Sequence, residues 1–165
     1  MIIYEEILRD FQRQKVKYVI VGGIAMNLLG SFRNTADLDV LVEMSDLNLA
    51  KVIGILKKHG YRVKNPVDPM GIADAAIRKD WIENRHMRAL NFYKNDLREV
   101  DILIDTPVDF KKAKVTAKKI KCGSIVLPVI SIDNLLKMKR AAGRMIDKSD
   151  IAELKVIKKI EGKLK

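Results

Sequence analysis

The sequence predicts an α/β fold, α+β by stricter accounting: a small mixed β-sheet with flanking helices and a helical C-terminal cap. Three observations predict it. Lys17 to Val21 is a short apolar strand that ends on the pair Gly22-Gly23. In the second strand, Leu38 to Val42, the core-facing Leu38, Val40 and Val42 alternate with the carboxylates Asp37 and Asp39. Ala89 to Tyr93 and Arg98 to Ile104 are β-rich runs joined by Lys94-Asn95-Asp96-Leu97, an antiparallel pair. At 165 residues the chain is expected to be one domain, residues 1–165, with 131–165 a helical C-terminal extension.

The remaining elements follow from periodicity and caps. Ile3, Ile7, Leu8 and Phe11 fall near helical spacing and predict an amphipathic helix over residues 3–14. Ile24 to Leu29 is a short helix that Gly30 terminates. Ser45 caps a helix through Lys58, closed by Gly60, and Tyr61-Arg62-Val63 opens a strand. Asn65 to Gly71, with Pro66 and Pro69, is a loop, and Ile72 to about Arg85 a short helix. Pro107 to Lys114 is read as helical, and Lys119 to Val129 as a hairpin around Cys122-Gly123-Ser124. Ser131 caps a helix over Ile132 to Ala142, and Ser149 another over Asp150 to Gly162.

Composition narrows the class. Hydrophobic residues make up 48% and charged ones 32%, a globular balance. No apolar run approaches the ~20 residues of a membrane span, so no membrane association is expected. The opening Met1-Ile2-Ile3-Tyr4-Glu5-Glu6 lacks a basic n-region and an h-region, so no signal peptide is expected. Cys122 is the one cysteine, which fits a reducing cytoplasm and a small packing residue near a turn. Net charge is +11, and acids are sparse from 106 to 146 while lysines cluster there. That asymmetry fits a polyanionic ligand; a lysine-rich surface tuned for solubility explains it equally.

The chemistry concentrates in three places. Glycine at a strand-to-helix turn lets backbone N–H groups approach a phosphate, although tight turns also use Gly22-Gly23 pairs. Strand geometry puts Asp37 and Asp39 on one face, ~6–7 Å apart. Asp is depleted in strands, and adjacent carboxylates repel unless a cation lies between them. A hard divalent ion with oxygen ligands is the natural occupant; a half-exposed strand showing polar residues to water is the alternative. Asp101, embedded in Glu99-Val100-Asp101-Ile102-Leu103-Ile104, completes a three-carboxylate cluster if its strand lies beside Leu38–Val42. Such a cluster can hold two Mg²⁺ ions. Glu99 shares the face of Asp101 and is its nearest substitute, whereas Asp105, past the apolar run, is read as a strand-end or turn residue. His59, His86, Trp81 and the seven methionines are read as turn or packing residues.

Gly22-Gly23, a short helix ending at Gly30, then Arg33-x-Thr35-x-Asp37-x-Asp39 and Val40-Leu41-Val42 resembles the nucleotidyltransferase superfamily with the polymerase-beta-like fold. The closer resemblance is to its minimal bacterial and archaeal branch, which includes the AbiEii-type toxins. The stretch from Leu135 to Ile151, including Lys139, Arg144, Asp147 and Asp150, is similar to that branch's C-terminal helical signature. The likeness spans about residues 15–155. It implies transfer of a nucleoside monophosphate from an NTP to an acceptor hydroxyl, with release of pyrophosphate. Asp37 and Asp39 would then ligate Mg²⁺ or Mn²⁺, with Asp101 as third carboxylate and candidate base. Gly22-Gly23 would cradle the triphosphate, and Arg33 would neutralise phosphate charge. Thr35 would bind phosphate or fix the turn; Lys139 and Arg144 would face the same cleft, with Asp147 anchoring Arg144. Ile24 stands where many superfamily members have Ser, so that hydroxyl is absent here. The implied acceptors are an RNA end, a protein or a small alcohol. Two other classes stay open: a non-catalytic nucleotide- or RNA-binding module, and a toxin–antitoxin component that binds an antitoxin protein.

Overall fold

A computed structural model describes residues 3–95 and 97–165. The readings that rest on Met1, Ile2 and Asp96 lie outside the described residues. Helix α1 (Glu5–Arg13) buries Ile7, Leu8 and Phe11, the stripe expected from its spacing. Strand β1 (Tyr18–Val21) is buried along its whole length, and helix α2 (Gly22–Leu28) follows it without a break. Strand β2 (Leu38–Val42) leads through the Ser45 cap into helix α3 (Asp46–Lys58), where the Ser45 hydroxyl accepts from the Asn48 N–H. Asn48 is buried and clips this corner together, donating to the carbonyls of Lys17 and Glu43 and accepting from the Lys17 N–H.

Strand β3 (Arg62–Val63), a 3₁₀ turn over Pro69–Ala73 and helix α4 (Ala75–Glu83) come next. Strands β4 (Ala89–Asn95) and β5 (Arg98–Leu103) pair antiparallel, and helix α5 (Phe110–Val115) precedes the hairpin of β6 (Lys118–Cys122) and β7 (Ile125–Val129). Helices α6 (Ile132–Ala142) and α7 (Met145–Lys163) close the described chain. The seven strands form one mixed sheet in the order β3-β4-β5-β2-β1-β7-β6. Strand β2 pairs antiparallel with β1 and parallel with β5. Leu38, Val40, Val100 and Ile102 turn one face of this central region into the core, which leaves Asp39 and Asp101 on the other. Among the described residues no helix is long and apolar enough to cross a membrane.

Three boundaries differ from expectation, each for a local reason. Helix α2 starts at Gly22 rather than Ile24, because Gly22 adopts φ +67° and makes the change of direction itself. The helix expected from Ile72 to Arg85 is split at Asp74, whose carboxylate accepts the N–H groups of Ala76 and Ile77 and so starts α4 afresh. Helix α7 begins at Met145, not after Ser149. Gly143, at φ +62°, ends α6, and the Asp147 carboxylate caps the Arg144 N–H at 2.9 Å. Ser149 lies inside α7, its hydroxyl donating to the Ile146 carbonyl. Trp81 is buried, as a packing residue is, and His59 ends α3 against the Asp10 carboxylate. That His59 contact, reinforced by Lys58, holds Asp10 down to about 2.

Candidate active site

The parallel pairing of β2 with β5 sets Asp39 directly beside Asp101. Neighbouring strands run ≈ 4.8 Å apart, so the two carboxylates share one face at close quarters. Asp37 stands two residues before Asp39, just ahead of β2, and is exposed. The sequence-predicted trio therefore meets on one face. The carboxylates are nonetheless not closed into a cage: among the described residues, no group of three or more His, Cys, Asp or Glu side chains is arranged to hold an ion as it stands.

Charge and burial act strongly here. Burial, then the charges of Asp101 and Asp37, pushes Asp39 up to about 7, against the pull of Lys139 and Arg144. Burial also raises Asp101, aided by Asp37 and Glu99 and opposed by a hydrogen bond from Asn91. Asp37 is raised by burial and then by Glu99. Three carboxyls that all resist ionisation on one face are what a divalent cation relieves. Their donor set is oxygen alone, which suits Mg²⁺ or Mn²⁺. By donor chemistry, though not by a closed arrangement, the residues present suit such an ion.

The glycine pair is tied to this face by close approach. A Cβ on Gly22 would lie 2.0 Å from Asp39 Oδ2, and one on Gly23 would lie 2.4 Å from Thr35 Oγ1. The first turn of α2 thus abuts both the carboxylate strand and the loop before it. Its leading N–H groups have no partner within the helix. Tyr4 holds the same loop from the other side: its hydroxyl donates to the Ala36 carbonyl and accepts from the Glu99 N–H.

Two of the cations, Lys139 and Arg33, fall into a second, largely buried layer. Lys139 is 4% exposed and sits between two aspartates of α7, 2.7 Å from Asp150 Oδ2 and 3.3 Å from Asp147 Oδ1. Arg33 Nη1 reaches the same Asp150 oxygen at 2.8 Å, linking the loop to α7. Arg33 Nε is buried with no hydrogen-bond partner among the described residues. Arg144 contacts Asp147 through Nε at 3.0 Å, yet its side chain is 65% exposed. Burial pushes Asp147 up, and the Arg144 and Lys139 hydrogen bonds outweigh it, leaving this carboxyl below its ordinary value. Arg144 is thus the accessible cation, while Arg33 and Lys139 are engaged with aspartates. Replacing Lys139 with Met leaves two carboxylates buried with one cation fewer. We expect Lys139→Met to cost about 3–5 kcal/mol in urea unfolding at neutral pH, and less at acid pH as Asp147 protonates.

Several site residues escaped the sequence. Asn91 donates to Asp101, Asp150 joins Arg33 to Lys139, and Tyr4 pins the loop. An Asn in a strand is unusual enough to have marked Asn91. Tyr4 carries no local signal, because its partner lies 32 residues away; Asp150 lies in the Leu135–Ile151 stretch, but its contact with Arg33 spans 117 residues and has no local mark.

No family model matches the chain, and no curated protein matches it by sequence. Solved structures do match by shape. The lincosamide antibiotic adenylyltransferase LnuA, with lincomycin bound, superposes with a TM-score of 0.61 at 20% identity, covering 92% of this chain and 93% of that one. The ANT(2'')-Ia structure in complex with adenylyl-2''-tobramycin gives 0.59 at 12% identity, covering 93% and 91%. A solution structure of ANT(2'')-Ia, described as an antibiotic-resistance factor, gives 0.58 at 13% identity, covering 93% and 79%. At these identities the shared property is the fold: this chain has the mixed α/β fold of nucleotidyltransferase structures.

Proposed function

We propose that this chain is a metal-dependent nucleotidyltransferase, moving a nucleoside monophosphate from an NTP to an acceptor hydroxyl with release of pyrophosphate. The observation that carries the reading is the packing of Gly22 against Asp39, which sets the first turn of α2 beside the Asp37, Asp39 and Asp101 face. These three residues would hold one or two Mg²⁺ or Mn²⁺ ions, which when bound neutralise phosphate charge and polarise the reacting oxygens.

The chain's own residues do the rest. Gly22 and Gly23 offer N–H groups to phosphate oxygens, and Arg33 Nε is a further donor without a partner among the described residues. Asp101, raised by burial, takes the acceptor's hydroxyl proton as the oxygen attacks the α-phosphorus. The bond from that phosphorus to pyrophosphate breaks, and the accessible Arg144 meets the charge that leaves. This asks little covalent chemistry of the protein, in keeping with a site built of charges. Ile24 offers no hydroxyl to phosphate, so the backbone carries that contact.

The first acceptor class is a small molecule with a hydroxyl, in line with the antibiotic-bound neighbours. An RNA hydroxyl is the second reading, favoured by ten Lys and Arg against two acids from 106 to 146. The likeness to the AbiEii branch, with an antitoxin protein as partner, belongs with that second reading.

The test is to incubate the protein with each α-labelled NTP and Mg²⁺ or Mn²⁺, adding a lincosamide and aminoglycoside panel or total RNA. We expect label to enter one acceptor class, and an Asp37→Ala, Asp39→Ala double variant to lose it. Nucleotide binding without transfer, equal in the double variant, overturns catalysis in favour of a binding module.

A further inference from the structure

Behind Asp101, one chain of side chains has its direction fixed by the backbone. The Asn91 N–H donates to Asn65 Oδ1 at 2.7 Å. A backbone N–H can only donate, so the Asn65 amide oxygen must face it, and that decides which way the Asn65 amide is turned. Asn65 Nδ2 then donates to Asn91 Oδ1 at 3.2 Å. With its oxygen so engaged, Asn91 presents Nδ2 to Asp101 Oδ1, at 2.7 Å. The Lys64 N–H adds a bond to the Asn91 carbonyl, holding the Asn65 loop on β4. Neither amide can flip without setting two like groups against each other.

We propose that Asn65 and Asn91 are positioning residues for Asp101, a directional relay that occupies Oδ1 and reserves Oδ2 for the cation or the acceptor proton. The inference rests on the metal-dependent reading of the site and adds what that reading lacks, a means of orienting its third carboxylate. A neutral donor suits the task. A lysine in place of Asn91 would fill the cation's electrostatic role, and an apolar residue would let Asp101 rotate. Groups that hydrogen-bond a metal ligand in this way commonly change ion affinity 10–100-fold when removed.

The test is titration of Mn²⁺ alone into the purified protein, with bound and unbound ion separated by electron paramagnetic resonance. Asn91→Leu, close in shape but without a donor, is expected to weaken Mn²⁺ binding about ten-fold and to change the bound-ion line shape. Asn65→Ala, which unlocks the Asn91 amide and also removes the acceptor of the Asn91 N–H, is expected to weaken it several-fold. The double variant is expected to match Asn91→Leu alone, since Asn65 acts through Asn91. Mn²⁺ affinity unchanged in Asn91→Leu, while Asp101→Asn weakens it, overturns the relay and leaves the site standing. Additive losses in the double variant also overturn it, because Asn65 then acts by another route. Affinity unmoved by Asp37→Ala, Asp39→Ala and Asp101→Asn alike overturns the metal reading itself, and the relay with it.

Discussion

Asp39→Asn is expected to abolish nucleotide transfer while making the metal-free protein more stable. The two effects share one cause. Asp39 lies beside Asp101 and near Asp37, and burial with these charges raises it from 3.8 to about 7. In the unfolded chain the carboxyl loses its proton near 3.8, so between these values the folded state binds the extra proton. Stability contributed by the neutral form is present at acid pH and is lost as the pH rises through about 7. The amide copies the neutral form and does not titrate. Urea-derived stabilities of wild type and variant are therefore expected to coincide near pH 3 and to separate by on the order of 4 kcal/mol near pH 8, in favour of the variant. Transfer by the variant is expected to fall at least about 10³-fold. Equal loss of stability at both pH values would make Asp39 an ordinary structural residue and remove it from the site.

Gly22→Ala carries the other large effect, and two neighbouring glycines divide it into its parts. Gly22 has φ +67°, and its missing Cβ is 2.0 Å from Asp39 Oδ2, so the variant suffers both backbone strain and overlap. Together these are expected to cost about 2–5 kcal/mol and to displace Asp39, with transfer lost. Gly23→Ala isolates the contact, since its Cβ would meet Thr35 Oγ1 at 2.4 Å without an unusual φ. Gly30→Ala isolates the strain, with φ +115° and nothing within 4 Å. Thermal unfolding of the three single variants, read beside transfer, separates them. We expect Gly30→Ala to lose stability but keep transfer, and Gly22→Ala to lose both. A Gly22→Ala protein with full transfer would show that the close packing against Asp39 is not needed for the chemistry.

Much of the fold was legible in the chain. The capped helices after Ser45 and Ser131 and the strands β1, β2 and β5 follow from caps and alternation, which are local signals. The α7 boundary was misread because Ser149 offers a good cap, while the cap in use depends on Gly143 adopting a left-handed φ. Similarly, Asp74 divides a run that helical spacing joins. Local propensity proposes such ends, and the competing hydrogen bonds of the folded chain choose among them.

Alternation alone put Asp37 and Asp39 on one face, because side chains on a strand must alternate. The alternation within β5 likewise set Asp101 apart from its apolar neighbours Val100 and Ile102. That much the sequence determined by itself. Only the tertiary structure decided that β5 lies against β2 in the register pairing Asp39 with Asp101, since strand order depends on the global packing of apolar faces. It also decided that Arg33 and Lys139, which read as open phosphate ligands, are held by Asp150. A buried cation takes a nearby carboxylate, and which one is nearby is settled by how α7 docks, 117 residues from Arg33.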